Sequence, residues 1–122
     1  MQVYESEEMY LETILLLQRR HPSVRSIDIV EQLGYSRPSV SNAVHQLEKK
    51  GLITINGGEI QFTGEGRKKA EAVYERHQVI TGLFIAMGAS EAVAEDNACR
   101  VEHVITEEMF SVIKRFSEKV NG

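Results

Sequence analysis

Two runs that alternate apolar and polar residues, Leu52-Ile53-Thr54-Ile55 and Glu59-Ile60-Gln61-Phe62, flank Asn56-Gly57-Gly58 in a chain whose other apolar residues recur at helical spacing. Asn-Gly favours the tight turn of a two-stranded hairpin. Ahead of it, Met9, Tyr10, Leu11, Ile14, Leu15 and Leu17 predict an amphipathic helix over residues 5–18, with Ser6 as N-cap and His21-Pro22 as its stop. After an extended Val24-Arg25, Ser26 is expected to cap a second helix through Leu33, closed by Gly34. Ser36 caps a third, with Arg37 and Pro38 in its first turn, running to Lys50 and Gly51. Beyond the hairpin, Thr63 caps a long helix to about Met87, Ser90 another to about Val104, and Thr106 a last one to Val120. Helix, helix, tight turn, helix, hairpin is the order of a winged helix-turn-helix. The expected fold is therefore mainly α. A winged helix-turn-helix with a two-stranded wing occupies residues 1–63, and a helical segment for dimerisation and ligand binding occupies 64–122.

With 122 residues, 42% of them apolar, the chain can bury one core or one core plus a small appendage. No apolar run is long enough to span a bilayer and no charged-then-apolar leader opens the sequence, so a cytoplasmic location with no membrane partner is expected. The single cysteine, Cys99, has no internal disulfide partner. The net charge of −4 is unevenly spread: residues 19–76 hold ten Lys or Arg against seven Asp or Glu, whereas the first eighteen residues hold four glutamates and no base. A basic centre with acidic flanks suits an anion-binding module beside segments that attract cations.

The third helix has the composition of a base-reading element. Val40, Ala43, Val44 and Leu47 repeat at core spacing, and Ser36, Arg37, Pro38, Ser39, Ser41, Asn42 and His45 occupy the opposite face or the first turn. Arg37 is suited to a guanine edge or a phosphate, Asn42 to adenine, and the serines to phosphate oxygens. A solvated helix face has a similar composition; the adjoining wing and the basic run Arg67-Lys68-Lys69 favour double-stranded DNA as partner.

Cys99, Glu102 and His103 stand at i, i+3 and i+4 of a predicted helix, so a thiolate, a carboxylate and an imidazole would converge on one face as metal ligands. The same three residues also fit a buried cysteine beside an exposed glutamate and histidine. A metal would draw a further ligand from elsewhere, with Met9, Glu12 and His77 as candidates.

The run Ser6-Glu7-Glu8-Met9-Tyr10-Leu11-Glu12-Thr13-Ile14, the helix from Pro38 to Leu47, the wing ending Phe62-Thr63-Gly64-Glu65-Gly66, Glu75-Arg76-His77, and Ala98-Cys99-Arg100-Val101-Glu102-His103-Val104 occur in one order. Together they resemble the diphtheria toxin repressor and manganese transport regulator family over nearly the whole chain. The resemblance implies a homodimer that binds a palindromic operator when loaded with Fe(II) or Mn(II) and represses metal-homeostasis genes. It places Met9, Cys99, Glu102 and His103 on the primary site of the iron-responsive branch. The manganese branch has Asp and Glu where Met9 and Cys99 stand. It also implies a second site that is altered here: His77 is kept, Thr81 stands where a glutamate and Glu95 where a histidine is expected, and His77 and Glu95 are still able to bind metal; Glu12 matches a manganese-branch ligand. With the sequence ending at Gly122, the SH3-like domain of many iron-type members is not expected. Sulfur ligands favour Fe(II) over Mn(II), with Co(II), Ni(II) and Zn(II) expected to substitute in vitro.

Two other readings are a winged-helix regulator answering to an organic ligand, which leaves Cys99, Glu102 and His103 without a role, and a small metallohydrolase. The second lacks a separate general base, so the chain is not expected to be an enzyme. Apolar Val101, Val104, Ile105, Phe110, Val112, Ile113 and Phe116 exceed what one helical pair can hide, which predicts dimerisation through the helices after Gly88.

Overall fold

The structure is a computed structural model that describes residues 7–121. Its elements run α1 (Glu7–Gln18), α2 (Ser26–Leu33), α3 (Arg37–Lys49), β1 (Ile53–Asn56), β2 (Glu59–Phe62), α4 (Gly64–Ala86), α5 (Glu91–Val101) and α6 (Glu107–Asn121). The expected cap Ser6 lies outside the described residues. Contacts divide the described residues into two compact units, 7–71 and 72–121, and the division falls inside α4.

In the first unit, α2 packs on α3, α1 on both, and β1 against α3. Leu11, Ile14, Leu15, Ile29, Val40, Val44 and Ile53 are all buried. The strands pair antiparallel with Asn56 opposite Glu59. Gly57 and Gly58 both have positive φ, 57° and 87°, as a two-residue turn that matches strand twist requires. The wing is tied down twice more: Ile60 N–H donates to the Val24 carbonyl at 2.8 Å, and the Arg25 guanidinium donates to the Gly57 carbonyl at 2.8 Å. Gly66, in the first turn of α4, passes so close to the Leu52 carbonyl that a Cβ there would overlap it.

Helix ends follow local chemistry. Ser36 Oγ accepts from Ser39 N–H at 3.2 Å, Thr63 Oγ1 from Gly66 N–H at 3.0 Å, Ser90 Oγ from Val93 N–H at 3.3 Å and Thr106 Oγ1 from Met109 N–H at 3.1 Å. At α2 the expectation is corrected. Ser26 is its first helical residue, Arg25 is the N-cap, and Asp28 reaches back to accept from Arg25 N–H at 2.8 Å.

In the second unit, α4 continues to Ala86, and Gly88 at φ 114° makes the turn into α5. α5 stops at Val101 instead of running to Val104, and Glu102 becomes its C-cap, still in the right-handed helical region. Val73, Ile80, Leu83, Ala94 and Ala98 form the buried apolar set of this unit. Among the described residues no helix is long and apolar enough to cross a membrane.

Candidate functional site

Helix α3 presents the polar face its sequence requires. Ser36, Arg37, Pro38, Ser39, Ser41, Asn42 and His45 are all exposed, while Val40, Val44 and Leu47 are buried beneath them. No acidic residue occupies the first turn of α3, so its partially positive N-terminal end stays available to an anion. His45 Nδ1 lies 2.7 Å from the Ser41 carbonyl oxygen. A carbonyl can only accept, so the contact calls for a proton on Nδ1.

The basic run is partly engaged within the unit. Lys69 and Lys50 donate to the two carboxylate oxygens of Glu7 at 2.6 and 2.7 Å. Those ammonium groups hold the Glu7 carboxyl below its ordinary range, and Glu7 in turn raises Lys69. Arg67 donates to Gln18 Oε1 at 3.1 Å and lies over the Phe62 ring, 5.3 Å from its centroid. Arg67 and Lys69 therefore brace the fold, a role their composition alone did not show.

The second unit holds a cluster of a different kind. Glu102 is fully buried, although carboxylates are almost never fully buried without partners. Its Oε2 lies 2.8 Å from His77 Nδ1 and its Oε1 lies 3.2 Å from His103 Nε2. The His103 side chain is itself only 3% exposed. His77 also turns Nε2 toward Glu95 Oε1 at 4.0 Å and stacks on the Tyr74 ring, 6.4 Å between centroids. One carboxylate thus separates two imidazoles on different segments, α4 and the α5–α6 turn. A carboxylate and two imidazoles are borderline-hard donors of the kind that hold divalent first-row cations, so the residues present fit such an ion.

The structure brings together His77, Glu95, Glu102 and His103, which the sequence had divided between two sites. Cys99 is exposed on α5. The buried row along that helix is Ala94, Ala98 and Glu102, at i, i+4 and i+8, and Cys99 lies one residue off it. Two alanines preceding a glutamate at helical spacing were the available signal. Met9 and Glu12 are buried on α1, and Met9 Sδ accepts from the Tyr35 hydroxyl at 3.9 Å. Thr81, at the position of the expected second-site glutamate, is partly buried on α4. Sequence reasoning missed Arg76, whose guanidinium donates at 3.0 Å to the main-chain oxygens of both Glu102 and Ile105.

This unit also exposes apolar surface. Met109, Val112, Phe116 and Val120 fall on one stripe of α6, and Met87 and Val93 flank a cleft of about 370 Å³ between α4 and α5. Of the residues expected to pair protomers, Val104, Val112 and Phe116 are exposed, and Val101, Ile105, Phe110 and Ile113 are half-buried.

Comparison with known proteins agrees with both halves. The family described as "Iron dependent repressor, N-terminal DNA binding domain" matches residues 2–58, and "Iron dependent repressor, metal binding and dimerisation domain" matches residues 63–121. The transcriptional regulator MntR of Escherichia coli O6:H1 is 32% identical over 90% of this chain and 72% of its own length. The diphtheria toxin repressor of Corynebacterium diphtheriae is 34% identical over 86% of this chain, which spans 47% of that longer relative. Among solved structures, the metal-dependent transcriptional regulator MtsR superposes with a TM-score of 0.87 at 18% identity, over 95% of this chain and 55% of that one. A manganese-dependent transcriptional repressor in complex with manganese gives 0.83 at 23% identity, over 93% and 53%. Likeness at that identity speaks for the fold, and the matches along the sequence carry the rest: the chain belongs to the DtxR/MntR family of metal-dependent transcriptional repressors.

Proposed function

We propose that the protein is a homodimeric repressor that binds a palindromic operator when a divalent metal, Fe(II) in the first instance, occupies the site around Glu102. The observation that carries this reading is the buried Glu102 carboxylate between His77 and His103. Burying an ionised carboxylate is costly, and a cation held by these side chains would compensate it. Glu102 and His103 are the central ligands, with Met9 and Cys99 as sulfur donors and His77, Glu95 and Glu12 as donors to a second position. The bound ion supplies charge neutralisation and a link between segments, and no bond of a substrate is made or broken.

Met9 and Glu12 belong to α1 of the DNA-binding half, whereas Glu102 and His103 follow α5. An ion shared by them biases the recognition helices toward the spacing of two half-sites one DNA turn apart. The apolar stripe of α6 and the cleft beside Met87 are the surface for the second protomer, and two-fold pairing calls for a palindromic site. Domains of residues 1–63 and 64–122 divide the labour, and the expected setting is the cytoplasm. Ser36, Arg37, Pro38, Ser39, Ser41, Asn42 and His45 face the DNA, with Arg37 and Asn42 reading base edges.

A second reading, Mn(II) as the physiological ion, is favoured by one observation: the donors that lie together are oxygen and nitrogen, whereas Cys99 is exposed and the Met9 sulfur accepts from Tyr35. Anaerobic titration of Fe(II) and Mn(II) against binding to DNA recovered from a randomised pool separates the two. Fe(II) raising affinity at lower free concentration supports the first, and the reverse order the second. No gain with either ion contradicts both. Sedimentation showing only monomer at micromolar concentration with metal present contradicts the dimer.

A further inference from the structure

We propose that Arg76 is the positioning residue of the metal site, holding the turn that carries Glu102 and His103 in the register the ion needs. The inference rests on the metal-binding reading above and concerns a residue that supplies no ligand. Arg76 stands beside His77 on α4, so one helix delivers an imidazole and, one residue earlier, a guanidinium. Its Nη1 donates at 3.0 Å to the Glu102 carbonyl and at 3.0 Å to the Ile105 carbonyl, the two ends of the turn between α5 and α6. Its guanidinium carbon also sits 5.4 Å from the centroid of the Phe110 ring in the first turn of α6.

Three segments therefore meet at one side chain. The carbonyls that close a helix have no partner within it, and the end of α5 is capped by a residue 26 positions earlier in the chain. Because Glu102 is fully buried and its two oxygens lie 2.8 and 3.2 Å from different imidazoles, small shifts of its main chain would move the carboxylate off both. Fixing the backbone at residues 102 and 105 fixes His103 between them.

The charge of Arg76 gives the proposal a sign. A cation close to a metal site repels the metal, so a purely electrostatic Arg76 would weaken binding and its removal would tighten it. A positioning Arg76 does the opposite. Arg76→Met keeps an unbranched aliphatic side chain and removes the donors together with the guanidinium over Phe110, and Arg76→Lys keeps the charge on a shorter side chain.

Anaerobic Co(II) titration of the full chain, followed by the d–d absorption of the bound ion, reads both affinity and coordination geometry. Arg76→Met should lose about 10-fold or more in Co(II) affinity, the size typical of groups that orient ligands, with altered d–d bands. Arg76→Lys should show a smaller loss in the same direction. Parent-like or tighter binding with an unchanged spectrum, in either variant that keeps the parent's helical signal, overturns the proposal. A parent chain that takes up no Co(II) overturns the metal reading itself, and this inference with it.

Discussion

The two units of the chain place charge differently. Up to Glu71, apart from Glu12 buried on α1, charged side chains stay at the surface, where Glu7 bridges Lys50 and Lys69, and the proposed reading helix α3 offers an uncharged or cationic face to solvent. From Ala72 onward, a carboxylate is fully buried between two imidazoles. An exposed reading face costs little folding energy, so the first unit can be stable before it meets DNA. A buried ionisable cluster lowers stability relative to an apolar core, so the second unit gains when a cation arrives.

The largest expected effect is at Glu102. Glu102→Gln removes the buried charge but keeps the shape, and its loss of metal affinity should exceed the roughly 10- to 100-fold typical of groups outside the ligand shell. Without metal, the same variant should unfold at or below the parent's temperature, because the amide replaces the carboxylate that faces His77 and His103 in the buried cluster. Calorimetric titration and thermal unfolding check the two halves. A variant that is destabilised without metal and binds it normally would make Glu102 a structural residue and erase the contrast between units.

Gly66→Ala tests the rigidity of the first unit. Its Cβ would meet the Leu52 carbonyl, a main-chain atom that cannot rotate away, so a destabilisation of about 1–3 kcal/mol is expected by urea unfolding. An unchanged midpoint would mean that the joint between wing and α4 is loose. At the reading face, Arg37→Ala and Asn42→Ala should each weaken DNA binding by about 1–3 kcal/mol and relax sequence preference while leaving metal affinity intact. Parallel DNA-binding and metal titrations decide this, and unaltered DNA affinity in both variants would move base reading to the wing.

The smallest effect is at Glu7. Its carboxyl is held below its ordinary range by Lys50 and Lys69, so its contribution is present above the unfolded glutamate range and lost as pH falls through the folded value. Lys69 is raised, and its share is lost only as pH rises past the usual lysine range. These groups are partly exposed, so Glu7→Gln should cost under about 1 kcal/mol at neutral pH, and the difference from the parent should vanish in acid. Unfolding measured across pH checks the sign.

Much of this architecture is legible in the sequence because it is set by neighbours. Ser36, Thr63, Ser90 and Thr106 each cap a helix through an amide three residues away, and Gly57-Gly58 forces the hairpin turn. Reading fails where a local pattern allows two solutions or a distant residue chooses. At α2, Ser26 and Asp28 both offer an oxygen near the helix start, and Asp28 wins by bonding Arg25 N–H. At α5, spacing alone extends the helix to Val104, but Val104 N–H turns back to the Val101 carbonyl at 3.0 Å and the helix closes at Val101, with the distant Arg76 holding the Glu102 and Ile105 carbonyls of the turn. The candidate site shows the same limit: Cys99, Glu102 and His103 are neighbours on a helical wheel, yet the buried row runs through Ala94 and Ala98 and leaves Cys99 exposed.

On the proposed function, an ion at Glu102 controls DNA binding by α3. DNA affinity of the parent and Glu102→Gln, each measured with and without saturating Mn(II) or anaerobic Fe(II), reads that control. At least a 10-fold gain is expected in the parent with one of these ions and almost none in the variant. An equal metal-dependent gain in both proteins would contradict it.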